Sequence, residues 1–235
     1  MKIKIHALTY LLILISFLAG YFDYTFLCLI TIIIHEMGHY ILAVILNIKV
    51  KEIEIFLIGG VTKLESDLNT KIYKEIIVLL AGPLFQILFL LIIYVLHRSG
   101  LVSYIVFNKV LKINITLLKI NLLPIVPLDG GRLINNILDV IFSYKTSFYI
   151  TIIISLITSP LLFIIVNKLV ALVLFIFIII NIIDEIKGIN KKLNKLIMER
   201  KIKNYNYKKT TYINNINKVK RNKNYVIYKI QNPYI

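Results

Sequence analysis

A chain of 235 residues with 58% hydrophobic side chains and a mean hydropathy of +0.81 is more apolar than an ordinary water-soluble domain. Its single cysteine, Cys28, lies inside an apolar run and excludes a disulfide framework. Residues 76–96 run 21 positions without a formal charge, enough to cross a hydrocarbon core of about 30 Å, so the chain reads as an all-α polytopic membrane protein.

The expected elements follow in chain order. Residues 1–20 (MKIKIHALTYLLILISFLAG) show a charged front and an apolar stretch, as a signal peptide does. They lead into a second apolar run with no convincing cleavage site, so they are expected to stay as a first span. Six spans are expected in all, near 7–22, 24–47, 74–97, 105–127, 147–166 and 168–183. The first offers only 16 uncharged residues. The fourth contains Lys109, Lys112 and Lys119; the first two can snorkel outward, and Lys119 is expected to face a wet cavity or an acidic partner. Between spans two and three, residues 52–65 (EIEIFLIGGVTKLE) alternate and carry Gly59-Gly60 as a turn, a small β-hairpin. Such a ribbon either closes over the bundle or offers an edge strand to an extended peptide.

From Thr146 to Ile183 there are 38 residues with one charge, Lys168, which suits two crossings. Beyond them, Ile186, Ile189, Leu193, Leu196 and Ile197 recur at helical spacing among lysines, an amphipathic linker helix over 184–203. Residues 204–235 form a basic tail with a short strand expected at 225–230. Residues 184–235 hold 14 of the 28 Lys and Arg against three acids. No stacking motif accompanies that charge, so nucleic-acid binding is set aside and the lysines are assigned to the cytoplasmic side of a membrane. An even number of spans with basic ends puts both termini in the cytoplasm.

The chemistry centres on His35-Glu36-Met37-Gly38-His39, an HExxH inside the second span. Four residues apart on a helix, both imidazoles leave one face a turn apart, offering two nitrogen ligands to Zn2+ with Glu36 beside them as general base. Three ionisable residues amid LITIII and YILAVIL are costly in lipid without a function. A catalytic zinc needs a third protein ligand and an open position. Asp129 is the candidate, in residues 121–131 (NLLPIVPLDGG), where prolines and glycines break the helix at membrane depth. In the third span, Ala81-Gly82-Pro83 is expected to kink and pack the helix rather than touch substrate, and Gln86 to make an interhelical hydrogen bond rather than serve as a polar gate. His6 and His97 receive no role.

With IHEMGH, FLIGGVTKLE, AGPLFQ and NLLPIVPLDGGR in this order over roughly residues 5–200, the chain resembles the site-2 proteases, intramembrane zinc metalloproteases. The resemblance is nearest to their bacterial sporulation branch, which processes a membrane-associated pro-sigma factor. It implies one zinc held by His35, His39 and Asp129, a water activated by Glu36, and a peptide positioned by Asn121 and Pro127, with Gly59 and Gly60 beside it. It further implies a cell-membrane location, in a sporulating cell the membrane around the forespore, and inhibitory membrane proteins as partners. In the sporulation branch a nucleotide-sensing CBS-type domain follows the linker; here about 30 residues follow, so that domain is expected to be absent or vestigial, leaving a protease domain over 1–183. The competing readings are a catalytically silent membrane scaffold or regulator and a metal transporter. A Glu directly after the first His favours hydrolysis over transport.

Overall fold

The computed structural model describes residues 2–5, 7–48, 50–56, 59–64, 68–203, 205, 207, 210–221 and 223–227. They form two compact units, the first comprising Met1–Ser66, Ile77–Leu122 and Leu162–Leu174 and the second Asp67–Ile76, Leu123–Leu161 and Phe175–Ile235.

In the first unit, strand β1 (Lys2–Ile5) leads to α1 (Ala7–Leu18) and α2 (Phe22–Ile45), then β2 (Val50–Phe56) and β3 (Gly59–Leu64). Helix α3 (Ile72–Arg98) begins in the second unit and continues here, followed by α4 (Tyr104–Leu122) and the short α7 (Leu162–Ile165). Buried residues of α4 recur at 110, 113, 114, 117 and 120, one helical face, and Ile113 and Leu117 pack on Ile32 of α2. At the start of α2, Asp23 pairs with Lys109 of α4. Lys109 therefore has an acidic partner as well as a route to the surface, while Lys119 is exposed in the last turn of α4, where a cation suits the helix dipole.

The expected hairpin is present but differs in two ways. Phe56 stands opposite Gly59 and Ile55 opposite Gly60, so both glycines sit in the ladder and the connection is Leu57-Ile58, outside the described residues. Glycine lacks a side chain to hold it to a turn when the flanking β-branched residues already set the register. The second difference is β1, which joins β2 in parallel to give the order β1-β2-β3. Its alternating KIKI is a strand signal, hidden by its place in front of an apolar run. Strands β2 and β3 lie against α2.

In the second unit the fourth apolar segment ends earlier than expected. Helix α4 stops at Leu122, residues 123–128 are irregular with a cis Val126–Pro127 peptide, and a further helix, α5 (Asp129–Ile141), follows. At 13 residues, about 20 Å long, α5 is too short to span a bilayer. Gly131 is needed there, since a Cβ would lie 2.4 Å from the Ile125 carbonyl carbon and 2.5 Å from its oxygen. Ser143 caps α6 (Tyr144–Thr158) by accepting from the Thr146 N–H. Along α6, Ser155 is fully buried and its Oγ accepts from the Val126 N–H at 3.0 Å. Irregular backbone at membrane depth has to find such partners inside the protein.

The last helix, α8 (Lys168–Ile202), runs unbroken for 35 residues, so the amphipathic segment expected as a separate linker continues the final span. After it, β4 (Thr210–Ile213) and β5 (Asn224–Ile227) pair in parallel. Arg221, 4% exposed, anchors this tail. Its Nη1 donates to Glu75 Oε2 at 3.1 Å, Asn136 Oδ1 at 3.0 Å and Asp139 Oδ2 at 3.2 Å; its Nη2 donates to Glu75 Oε1 and its Nε to the Leu68 carbonyl at 3.0 Å. Burial alone would lower the Arg221 pKa, but the facing carboxylates more than offset that and hold it above the ordinary arginine range. Burial pushes Asp139 up to about 6 despite the arginine beside it. Arg200 forms a second anchor, donating to the Lys223 and Lys220 carbonyls at 2.8 and 2.9 Å between the rings of Tyr207 and Tyr225. Arg221→Met removes one partner of a buried pair and leaves the carboxylates uncompensated, so it should cost about 3–5 kcal/mol. Denaturant unfolding of the full chain in detergent measures it.

Four described helices are long and apolar enough to cross a membrane: Phe22–Ile45, Ile72–Arg98, Tyr144–Ile165 (α6 through α7) and Lys168–Ile202. On α3, Leu84, Leu91, Ile92 and Val95 are all more than half exposed, which suits lipid and not water. The chain is a multi-pass membrane protein. Of the six expected spans, α1 at 12 residues is shorter than these four, and α4 spreads Lys109, Lys112 and Lys119 along its 19 residues, so it has no long stretch free of charge.

Candidate metal centre

Helix α2 carries His35, Glu36 and His39 at 3%, 4% and 4% exposure, with one ligand atom from each within 4.8 Å of the others. The i, i+4 spacing stacks the two imidazoles on one face, and their Nε2 atoms lie 3.0 Å apart. Two ligands at about 2.05 Å on a tetrahedral zinc would be about 3.3 Å apart, so the pair is already near a coordinating separation.

Helix α3 holds those rings in place. The His39 Nδ1–H donates to the Val78 carbonyl at 2.7 Å, and His35 Nδ1 lies 2.9 Å from Gln86 Oε1. A carbonyl only accepts, so Nδ1 of His39 carries the ring proton and its Nε2 keeps the lone pair that a metal needs. The two histidines are four residues apart and their partners eight, in opposite order, as two helices crossing in opposite directions require. The interhelical hydrogen bond expected of Gln86 is therefore present, and a ligand-type histidine is its partner.

Small residues allow this approach. A Cβ on Gly38 would lie 2.6 Å from the Ala81 carbonyl oxygen, and one on Gly82 would lie 2.4 Å from His39 Nε2 and 2.7 Å from His35 Cε1. Gly82 thus leaves open the space into which both ligand nitrogens face. The sequence marked Ala81-Gly82-Pro83 only as a packing motif; the register of α3 on α2 gives it a place at the site. Buried imidazoles with paired Nδ1 positions, a neighbouring carboxylate and an open volume form a donor set that fits zinc.

The other expected site residues are placed as follows. Asp129 is half-buried at the first position of α5, in the second unit, after the irregular segment 123–128. Pro127 is half-buried in that segment, and Asn121 is half-buried in the last turn of α4, in the first unit. Gly59 and Gly60 open β3. His97, at the far end of α3, donates from Nδ1 to the Val102 carbonyl at 2.9 Å and stacks on Phe107, a packing role. His6 lies outside the described residues.

Comparison with known proteins agrees with this geometry. Residues 24–101, which include the HExxH and the AGPLFQ segment, match the family model of peptidase family M50. The chain is 28% identical over 209 residues to stage IV sporulation protein FB of Bacillus subtilis, covering 85% of this chain and 71% of that one. It is 30% identical over 126 residues to a zinc metalloprotease of Methanocaldococcus jannaschii, covering 52% of this chain and 36% of that one. The solved site-2 protease from Methanocaldococcus jannaschii has the same fold, with a TM-score of 0.60 at 23% identity over 78% of this chain and 89% of that one. The HExxH pair, buried in a membrane helix, lies inside the segment that matches peptidase family M50, so over residues 24–101 the chain is similar to that family.

Proposed function

We propose that this protein hydrolyses a peptide bond of a membrane-associated protein at one zinc held by His35, His39 and Asp129, with Glu36 as general base. The observation that carries the reading is the pair of buried Nε2 atoms 3.0 Å apart beside Glu36 in a membrane-spanning helix. Asp129 joins the set on its sequence position in LDGG and on the need for a third protein ligand.

Bound zinc supplies Lewis acidity, lowering the pKa of a water and polarising the scissile carbonyl. Glu36 accepts the proton of that water and returns it to the leaving nitrogen. The substrate has to be extended, because helical backbone groups are already paired. Strand β3, the outer strand beside β2, offers such a segment a ladder, with Gly59 and Gly60 permitting close backbone approach and Asn121 and Pro127 positioning it. By the positive-inside rule both termini face the cytoplasm; residues 1–183 carry the protease, 184–203 extend the last span and 204–235 are the basic tail.

The likeness to a stage IV sporulation protein points to a membrane-associated pro-sigma factor as substrate, in the membrane around the forespore, with inhibitory membrane proteins as partners. Co-expression with candidate pro-sigma factors, followed by immunoblot, tests this; full-length precursor throughout would reject that substrate class. In the same assay Asp129→Ala should lower bound zinc and cleavage together, by about 100-fold in cleavage as one ligand is lost. Zinc stoichiometry equal to the wild type would remove Asp129 from the ligand set.

A further inference from the structure

We infer that Gln86 is a positioning residue for the metal site, selecting the tautomer of His35 that can bind a metal. This rests on the reading of His35 as a ligand. Gln86 is fully buried on α3, and its Oε1 lies 2.9 Å from His35 Nδ1. Its amide nitrogen, Nε2, is buried with no hydrogen-bond partner among the described residues. An amide offers a ring nitrogen two choices. Oxygen inward accepts the Nδ1–H and leaves the His35 Nε2 lone pair facing its counterpart on His39. Nitrogen inward donates to Nδ1, moves the ring proton to Nε2 and closes that position to a metal.

The neighbouring histidine shows which choice the site uses. His39 Nδ1 meets a main-chain carbonyl, Val78, which can only accept. For two imidazoles to present lone pairs to one ion, the Nδ1 of His35 needs an acceptor too, and the Oε1 of Gln86 lies 2.9 Å from it. Gln86 supplies one from its side chain, at the expense of an unpaired Nε2. Packing alone explains less, because a leucine or methionine would fill the same buried position without stranding a polar atom.

Competition for Zn2+ between the purified full chain in detergent and a chromophoric chelator tests this. Gln86→Leu and Gln86→Met keep the bulk and remove the acceptor; each should weaken zinc about 10–100-fold, the usual effect of losing a hydrogen-bond partner behind a ligand histidine. Gln86→Glu keeps an acceptor and should hold zinc within about threefold of wild type or more tightly, as a carboxylate raises the basicity of the ring. Zinc affinity within about twofold of wild type in the leucine and methionine variants would overturn the inference, and so would a glutamate variant as weak as leucine. Melting curves accompany each variant, and if leucine does not fold the methionine variant is read in its place. If neither folds, Gln86 is a packing residue and the inference fails. His35→Ala separates the two levels. Zinc unchanged there removes His35 as a ligand and the proposed site with it, whereas zinc lost there but kept in Gln86→Leu overturns the role of Gln86 alone.

Discussion

Glu36→Gln keeps its zinc and stops cutting. Glutamine has nearly the shape of glutamate, so the buried position beside His35 stays filled and the two imidazoles keep their partners on α3. A neutral amide oxygen is a far poorer proton acceptor than a carboxylate, and general-base catalysis contributes about 10²–10⁴-fold in rate. Cleavage of a co-expressed membrane substrate should therefore fall by about that factor, while elemental analysis still finds one zinc per chain. Undiminished cleavage would remove Glu36 from the mechanism. Loss of zinc together with cleavage would make Glu36 a determinant of metal binding instead.

Gly82→Ala should abolish both zinc binding and cleavage, although it adds one methyl group to a helix and glycine is the poorer helix former. That methyl would sit 2.4 Å from His39 Nε2 and 2.7 Å from His35 Cε1, inside the space where the ligand nitrogens point. The rings cannot swing aside without breaking the bonds to Val78 and Gln86. A misplacement of about 1 Å at a reacting centre costs about 100-fold, and here the displaced groups are the ligands themselves. Zinc affinity and turnover should both fall at least about 100-fold. Gly188→Ala on α8 is the matched control, since its Cβ would meet nothing within 4 Å. Wild-type zinc binding in Gly82→Ala would show that the two helices stand further apart than described.

How much of this was legible beforehand depends on whether the information is local. The ligand pair is local: two histidines four apart must share a helix face, and their apolar flanks fix the depth. The roles of Gly82, Val78 and Gln86 are not, because they arise from the register of α3 against α2, which no periodicity in either helix states. Helix α5 was missed for a related reason. Leu133, Ile134, Ile137, Val140 and Ile141 do recur at helical spacing, but Asn136 and Asp139 are buried, so polarity does not mark the solvent side. Those two polar residues are buried because Arg221, some 80 positions later, reaches them. Arg221 itself could not be singled out, being one of 14 basic residues in a run that composition treats as uniform.

That arginine sets the response of the tail to ionic strength. Exposed lysines of residues 184–235 face solvent, where counterions at 0.15 M screen them beyond about 8 Å, and any hold they have on anionic lipid weakens as salt rises. Arg221 and its carboxylates are shielded from those ions by burial, so the paired strands β4 and β5 should stay seated in a brine that releases the lysines around them. A basic segment that resembles a detachable electrostatic brush thus has, in Arg221, one anchor that salt cannot reach.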